Sequence, residues 1–252
     1  MARVILSVLG FLQLQSIIMA IIIVAAVNAT LPVSVFADTR TDAIIGLQLE
    51  PPHLDPTSAA AGAIDQVLYA NVYEGLTRFT ENGDIIPQLA ASWDISDNGL
   101  LYHFTLHHGV IFHDGTPLDA AAVKFSLDRA RSDASTNAQK ALYAGIANIT
   151  INAPDQLTIE LHQPDGNFLF KLAWGDAVII APHNVDQLRQ SAIGTGAFKV
   201  KSWIKGDRII LEKNPDYWGK PAQLSAVTFR FISDPVAALA AVQTGEIDAF
   251  PV

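Results

Sequence analysis

The 252-residue chain contains no cysteine. That excludes disulfides, thiolate metal sites, a cysteine nucleophile and a lipid-modified cysteine anchor. Basic residues are scarce: 16 Lys and Arg stand against 25 Asp and Glu, a formal charge of −9. Phosphate binding needs a basic surface, so nucleic acid is excluded as a partner. There is no internal repeat, low-complexity tract or long charge run. No GxSxG, HExxH or Walker pattern occurs, and Ser126 and Ser191 have no base in a recognisable arrangement. The acid pairs Asp94/Asp97 and Glu246/Asp248 have the spacing of turn and cap residues. A clean βαβα alternation is also missing, which excludes a simple doubly wound domain.

What is present is apolar. Hydrophobic residues make up 50% of the chain, enough for a real core, and the length allows one or two domains. Arg3 is the only charge before Asp38, and the apolar run Val4–Val27 is broken chiefly by Gln13, Gln15 and Ser16. A short stretch ending Val35-Phe36-Ala37 follows, completing the pattern of a secretory signal over residues 1–37. Cleavage is expected after Ala37, with Ala29 as second choice. The run is also long enough to span a bilayer, so a retained N-terminal anchor is the alternative. Either way the remainder is exported. All 25 acids and all but one of the 16 bases lie beyond residue 37, leaving −10 on the exported part.

The 43–49 run is a short strand, and EPPHLDP (50–56) stops it with three prolines. Ile64, Val67, Leu68, Val72 and Leu76 recur at helical steps, predicting a helix over 59–76. Asn82-Gly83 marks a hairpin after the strand 76–79. Tyr102, Phe104 and Leu106 alternate with His103, Thr105 and His107, a half-buried strand. Thr116-Pro117 reads as a cap and first-turn proline for a helix over 118–131. Hairpins follow at 149–164 and 198–214, turning at Ala153-Pro154-Asp155 and Lys205-Gly206-Asp207. A short helix is expected near 183–190, a strand at 227–232, and a helix over 234–248 with Asp234 as N-cap, Pro235 at N1 and Gly245 at its stop. Residues 249–252 suggest the start of one more strand. The class is α/β or α+β, with more than one small sheet.

Four histidines, His103, His107, His108 and His113, fall within eleven residues and invite a metal site. His103 and His107 share a strand face but lie ~13 Å apart at ~3.3 Å per residue, too far for one ion bound at ~2.0–2.1 Å. A solvated strand face is the preferred reading, and neither metal nor cofactor is expected.

Three segments together carry a family resemblance: EGLTRFTENGDIIPQLAASWDISDNGLLYHFTLHHGVIFHDGTPLDAAAVKFSLDRA (74–130), IGTGAFKVKSWIKGDRIILEKNPDYWG (193–219) and VTFRFISDPVAALAAVQTGEIDAFPV (227–252). In order and spacing they resemble the extracellular solute-binding proteins of the peptide/nickel/opine type (family 5), which serve ATP-binding-cassette (ABC) importers. One local departure is LHHGV, with His107 and His108 where the family usually has a basic residue before Gly-Val. The other is length: family members continue into a second lobe, so the sequence reads as the N-terminal portion of the pattern.

The resemblance implies a Venus-flytrap fold of the periplasmic-binding-protein type II-like class, here the first lobe plus an accessory subdomain, with the second lobe missing. Residues 38–70 and 194–252 would form the ligand-binding part, and 71–193 the accessory subdomain. The implied function is capture of an oligopeptide, dipeptide or similar small solute in the periplasm, for delivery to an inner-membrane ABC permease, by a monomer without catalysis. The loop residues Glu50, His53, Leu54 and Asp55 are expected to line the cleft and meet an amine or cation. Gly194, Thr195, Gly196 and Ala197 are expected at the site, where permissive backbone allows main-chain hydrogen bonding to an extended ligand, although a tight turn also explains the glycines. Tyr73 and Trp174 are candidate packing aromatics, while Tyr69, Tyr217 and Trp218 read as core. The rivals are a secreted hydrolase and a non-transporting remnant or interaction domain.

Overall fold

A computed structural model describes residues 40–58 and 62–251. The expected secretory segment, 1–37, lies outside the described residues. From Thr41 onward the chain is one compact unit. In chain order its elements are β1 (Asp42–Leu47), α1 (Gly62–Leu68), β2 (Thr77–Phe79), β3 (Ile85–Pro87), β4 (Ala90–Ile95), β5 (Leu101–Leu106), α2 (Ala120–Arg131), β6 (Ile146–Ala153), β7 (Gln156–Leu161), α3 (Phe168–Lys171), β8 (Phe198–Ile204), β9 (Arg208–Lys213), β10 (Ala226–Phe231) and α4 (Pro235–Gln243). Short 3₁₀ helices occupy Lys140–Tyr143, Gly175–Ala177 and Pro182–Gln187.

The strands form three sheets: β1-β10-β9-β8, the β2-β3 ribbon, and β4-β5-β7-β6. The first is mixed. β1 pairs in parallel with β10, whereas β10-β9 and β9-β8 are antiparallel hairpin partners. The parallel pair joins the two ends of the described chain, so the sheet closes only after all the intervening sequence has folded out and back. On the other side of β1, Ala249 makes a single parallel bridge with Ile45, where the sequence suggested a strand start.

Each four-stranded sheet has its own core. In β5, Tyr102, Phe104 and Leu106 point inward while His103 faces out, as the alternation predicts. They pack with Leu157 and Ile159 of β7, Val123 and Leu127 of α2, and Phe168 of α3. Burying a side chain such as Phe104 contributes about 1.5–3 kcal/mol. The second core joins Leu47, Ile209, Leu211, Val227 and Phe229 of the mixed sheet to Ile64, Val67 and Leu68 of α1.

Two element boundaries differ from the sequence reading. α1 stops at Leu68 instead of running toward Leu76. Ala70 adopts a left-handed φ of 59°, and both Val72 and Tyr73 donate to the Leu68 carbonyl, so a tight turn replaces the next helical turns. Val72 and Leu76 stay buried, which is why they keep the apolar spacing of a helix. The cap of α2 is Asp119, whose Oδ1 accepts from Ala122 N at 2.9 Å, not Thr116. Thr116 belongs to the preceding turn, donating to Asp114 Oδ1, and Pro117 is held in a bridge with Ile111, which delays the helix. Asp234, Pro235 and Gly245 (φ 73°) bound α4 as predicted, but the helix ends at Gln243 and the chain then returns to β1.

Candidate functional site

The proline-stiffened loop after β1 is held at several points. Glu50 accepts hydrogen bonds from Trp203 Nε1 at 2.8 Å and from Gly206 N, tying the loop to the β8–β9 turn. His53 and Asp55 are 4% and 3% exposed. Asp55 Oδ1 accepts from Thr57 N (2.8 Å) and Thr57 Oγ1 (2.6 Å), and its Oδ2 lies 3.5 Å from Arg129 Nη2 at the end of α2. Asp55 N donates to His53 Nδ1 at 3.2 Å. Burial, with the positive charges of Arg189 and Lys205, lowers the proton affinity of His53, while Asp55 opposes the shift. These carboxylates are therefore committed to the protein's own donors. Glu50, His53 and Asp55, expected from the sequence to line the cleft, sit in this hydrogen-bonded loop.

The 194–197 segment is likewise bonded to the protein itself. A Cβ on Gly194 would lie 1.9 Å from the Val72 carbonyl oxygen, and one on Gly196 2.3 Å from that of Asn71. Gly196 N donates to Val72 O at 3.0 Å and Phe198 N to Asn71 O at 2.9 Å. The Gly194 carbonyl accepts from His113 N, the Gly196 carbonyl from Asn214 Nδ2, and the Ala197 carbonyl from Asn214 N. The glycines permit close approach, but of the 71–72 backbone rather than a ligand. Thr195 is fully buried and donates to Glu74 Oε2 at 2.8 Å. Tyr73 is fully buried as well, and burial drives its proton affinity strongly upward. Trp174 is 38% exposed on the loop after α3, edge-on to Phe170 at 6.0 Å.

The four histidines go to separate partners. His103 Nδ1 meets Thr158 Oγ1 at 2.9 Å, His107 packs on Trp218, and His108 Nε2 lies 3.4 Å from Asp155 Oδ2. His113 is set against the 194–196 backbone, with Nε2 3.0 Å from the Gly196 carbonyl and Nδ1 3.4 Å from Gly194 N. That arrangement requires the neutral Nε2–H tautomer, and burial pushes the pKa down to about 4.

The sequence reading did not single out Glu74, which gathers much of this framework. Its buried carboxylate accepts from Tyr217 Oη (2.8 Å) and Gln88 Nε2 (3.4 Å) on one oxygen, and from Thr195 Oγ1 (2.8 Å) and Trp218 Nε1 (3.0 Å) on the other. Burial raises its proton affinity, and the four hydrogen bonds oppose that shift.

What the framework leaves open is a groove of about 410 Å³ between the 189–192 segment and β8. Leu54 lines it, alone among the predicted site residues, together with Arg189, Ser191, Lys201, Ser202, Trp203 and Lys205. Sequence reasoning missed these bases. The available signal was the concentration of Lys199, Lys201 and Lys205 within seven residues of an acidic chain.

The groove runs beside β8, an edge strand of the mixed sheet. The sequence model described as bacterial extracellular solute-binding proteins, family 5 Middle, matches residues 84–252, and the chain belongs to this family. It is 35% identical over 220 residues to the glutathione-binding protein GsiB of Pectobacterium atrosepticum, covering 84% of this chain and 42% of that protein. It is 33% identical over 243 residues to the probable D,D-dipeptide-binding periplasmic protein DdpA of Escherichia coli, covering 90% and 46%. Among solved structures, the binding protein AgaA of A. tumefaciens, in complex with agropinic acid, matches with TM-score 0.78 at 27% identity over 82% of this chain and 43% of that one. The periplasmic binding protein DppA of Helicobacter pylori, in complex with a peptide, matches with TM-score 0.73 at 30% identity, over 82% and 45%. The fold is thus that of the periplasmic-binding-protein type II class, as the sequence implied. The chain spans less than half the length of these relatives. The family is one of binding proteins. Among the described residues no helix is long and apolar enough to cross a membrane.

Proposed function

We propose that the chain captures a peptide or similar small polar solute outside the cytoplasmic membrane and delivers it to an ABC importer permease, without chemical change to the solute. The family match over residues 84–252 carries this reading. The named solutes of the relatives, glutathione, D,D-dipeptides, agropinic acid and a bound peptide, support its scope. In this reading the chain is exported by residues 1–37 and acts as a periplasmic monomer. Residues 38–70 and 194–252 form the ligand-binding part and 71–193 the accessory subdomain. The division is supported by the sheets, β1-β10-β9-β8 lying within 38–70 and 194–252 and β4-β5-β7-β6 within 71–193, although the core of the first sheet also takes in Val72, Tyr73, Val178, Ile180 and Leu188. The committed residues Glu50, His53, Asp55, Tyr73 and 194–197 shape the site, and Leu54 with the groove beside it receives the solute. Trp174 remains an exposed aromatic available to a solute or partner.

The test is thermal unfolding of the purified chain with di- and tripeptides, glutathione and opines, followed by calorimetry on any that raise the Tm. Saturating binding of at least one class is expected. A cooperative unfolding transition that no solute raises would refute the receptor reading for this chain.

A further inference from the structure

The groove is positively charged on a negatively charged protein. Arg189, Lys201 and Lys205 line it, and no carboxylate does. Its walls are fixed by backbone: Leu54 N donates to Arg189 O at 3.1 Å, and Gln190 N and Ser191 N both donate to Gln187 O at 2.8 Å. On the strand side, the register of β8 against β9 shifts between Val200 and Ser202. This bulge makes Lys201 the extra residue, and bulges in edge strands re-aim side chains. Lys205 Nζ lies 3.0 Å over the Trp203 ring.

Two acids lie nearby: Glu50, which accepts from Trp203 Nε1 and Gly206 N, and Glu212, which lies 3.6 Å from Lys201 with both side chains exposed. Among the described residues Arg189 and Lys205 have no acidic partner, and Arg189's one side-chain hydrogen bond is a long one of 3.5 Å to Ser58 Oγ. The hydroxyls of Ser191 and Ser202 make no hydrogen bond among the described residues. The groove thus offers a guanidinium fork, two ammonium groups, two free hydroxyls and an apolar surface from Leu54, Val200 and Trp203, at a size within the range of small-solute sites.

We propose that this groove binds the carboxylate of an anionic solute between Arg189 and Lys205, with Ser191 and Ser202 as neutral donors. The assignment rests on the receptor reading and narrows it to solutes that carry a carboxylate. A planar guanidinium matches a carboxylate bidentately, and the lysine adds charge without fixed geometry.

The experiment is isothermal titration calorimetry of the purified chain with trialanine beside its C-terminal amide, and glutathione beside the derivative amidated at both of its carboxyl groups, at low and high salt. Wild type is compared with R189Q, K205Q and the double variant. Both positions are exposed, so the Tm of the variants should match wild type. The free acids are expected to bind roughly tenfold or more tightly than the amides, since a charge-assisted pair is lost. The double variant should erase that difference and the salt dependence. Equal affinity for acid and amide, or variants with unchanged affinity, would overturn the carboxylate assignment and leave the receptor reading standing. Inorganic phosphate binding as tightly as the peptides would overturn it too, exposing a nonspecific basic surface. Failure of every probe to bind would remove both.

Discussion

Replacing Glu74 with glutamine changes one oxygen to NH₂ at a buried site that now accepts four hydrogen bonds. Tyr217 and Thr195 hydroxyls can rotate and accept, but Trp218 Nε1–H and Gln88 Nε2–H cannot. Each oxygen of Glu74 serves one of each kind. Whichever way the new amide turns, one N–H of Trp218 or Gln88 faces another N–H. Gln88 cannot escape by flipping, because its Oε1 accepts from Gly75 N at 3.0 Å. A buried donor left unmade costs about 1–3 kcal/mol. For a domain of this size that lowers the Tm by roughly 2–12 °C. Glu74→Leu removes both acceptor oxygens, and with them all four hydrogen bonds, and should cost about 3–5 kcal/mol. The pH dependence has a definite sign. Burial raises the carboxyl's proton affinity in the folded state, so the stability it contributes is fully present below the ordinary glutamate pKa and is lost as pH rises through the folded value. The gap between wild type and E74Q should therefore be widest in acid and narrow upward, with groups common to both proteins cancelling. Urea unfolding of both across pH 4–8 measures it. An E74Q as stable as wild type at neutral pH, or a gap that widens with pH, would refute the reasoning.

Three further outcomes are expected. His113 is held neutral with a pKa near 4, so stability should fall as pH drops from 6.5 toward about 4, by up to roughly 3 kcal/mol, and His113→Gln should flatten that slope. Gly194→Ala should destabilise by more than about 3 kcal/mol or prevent folding, because its methyl would sit 1.9 Å from the Val72 carbonyl; a soluble variant with wild-type Tm would count against the packing described. Ala70→Gly should raise stability by about 1 kcal/mol, reversing the usual penalty for glycine, because Ala70 is exposed at φ 59°; differential scanning calorimetry decides this one.

Much of the fold was legible from local pattern. The alternation of Tyr102, Phe104 and Leu106, the turns at Gly83 and Gly206, and the Asp234-Pro235 helix start each satisfy their chemistry within a few residues. The failures came where distant contacts decided. The apolar spacing of Val72 and Leu76 looked helical, yet the 71–72 backbone is held by strand-side amides of Gly196 and Phe198, more than a hundred residues away, and no helix can supply those carbonyls. The partners of Glu50 and Asp55 were out of reach for the same reason, since their donors, Trp203, Gly206 and Arg129, are distant in sequence.

By itself the sequence determined the family, the class of fold and the strand and turn inventory, because hydrophobic period, turn chemistry and motif order are written locally. Only the tertiary structure decided which polar groups are already satisfied and which remain free. That depends on partners brought together by the parallel closure of β1 on β10. The same closure sets the 50–55 loop beside β8, where Leu54 lines the groove with Lys201.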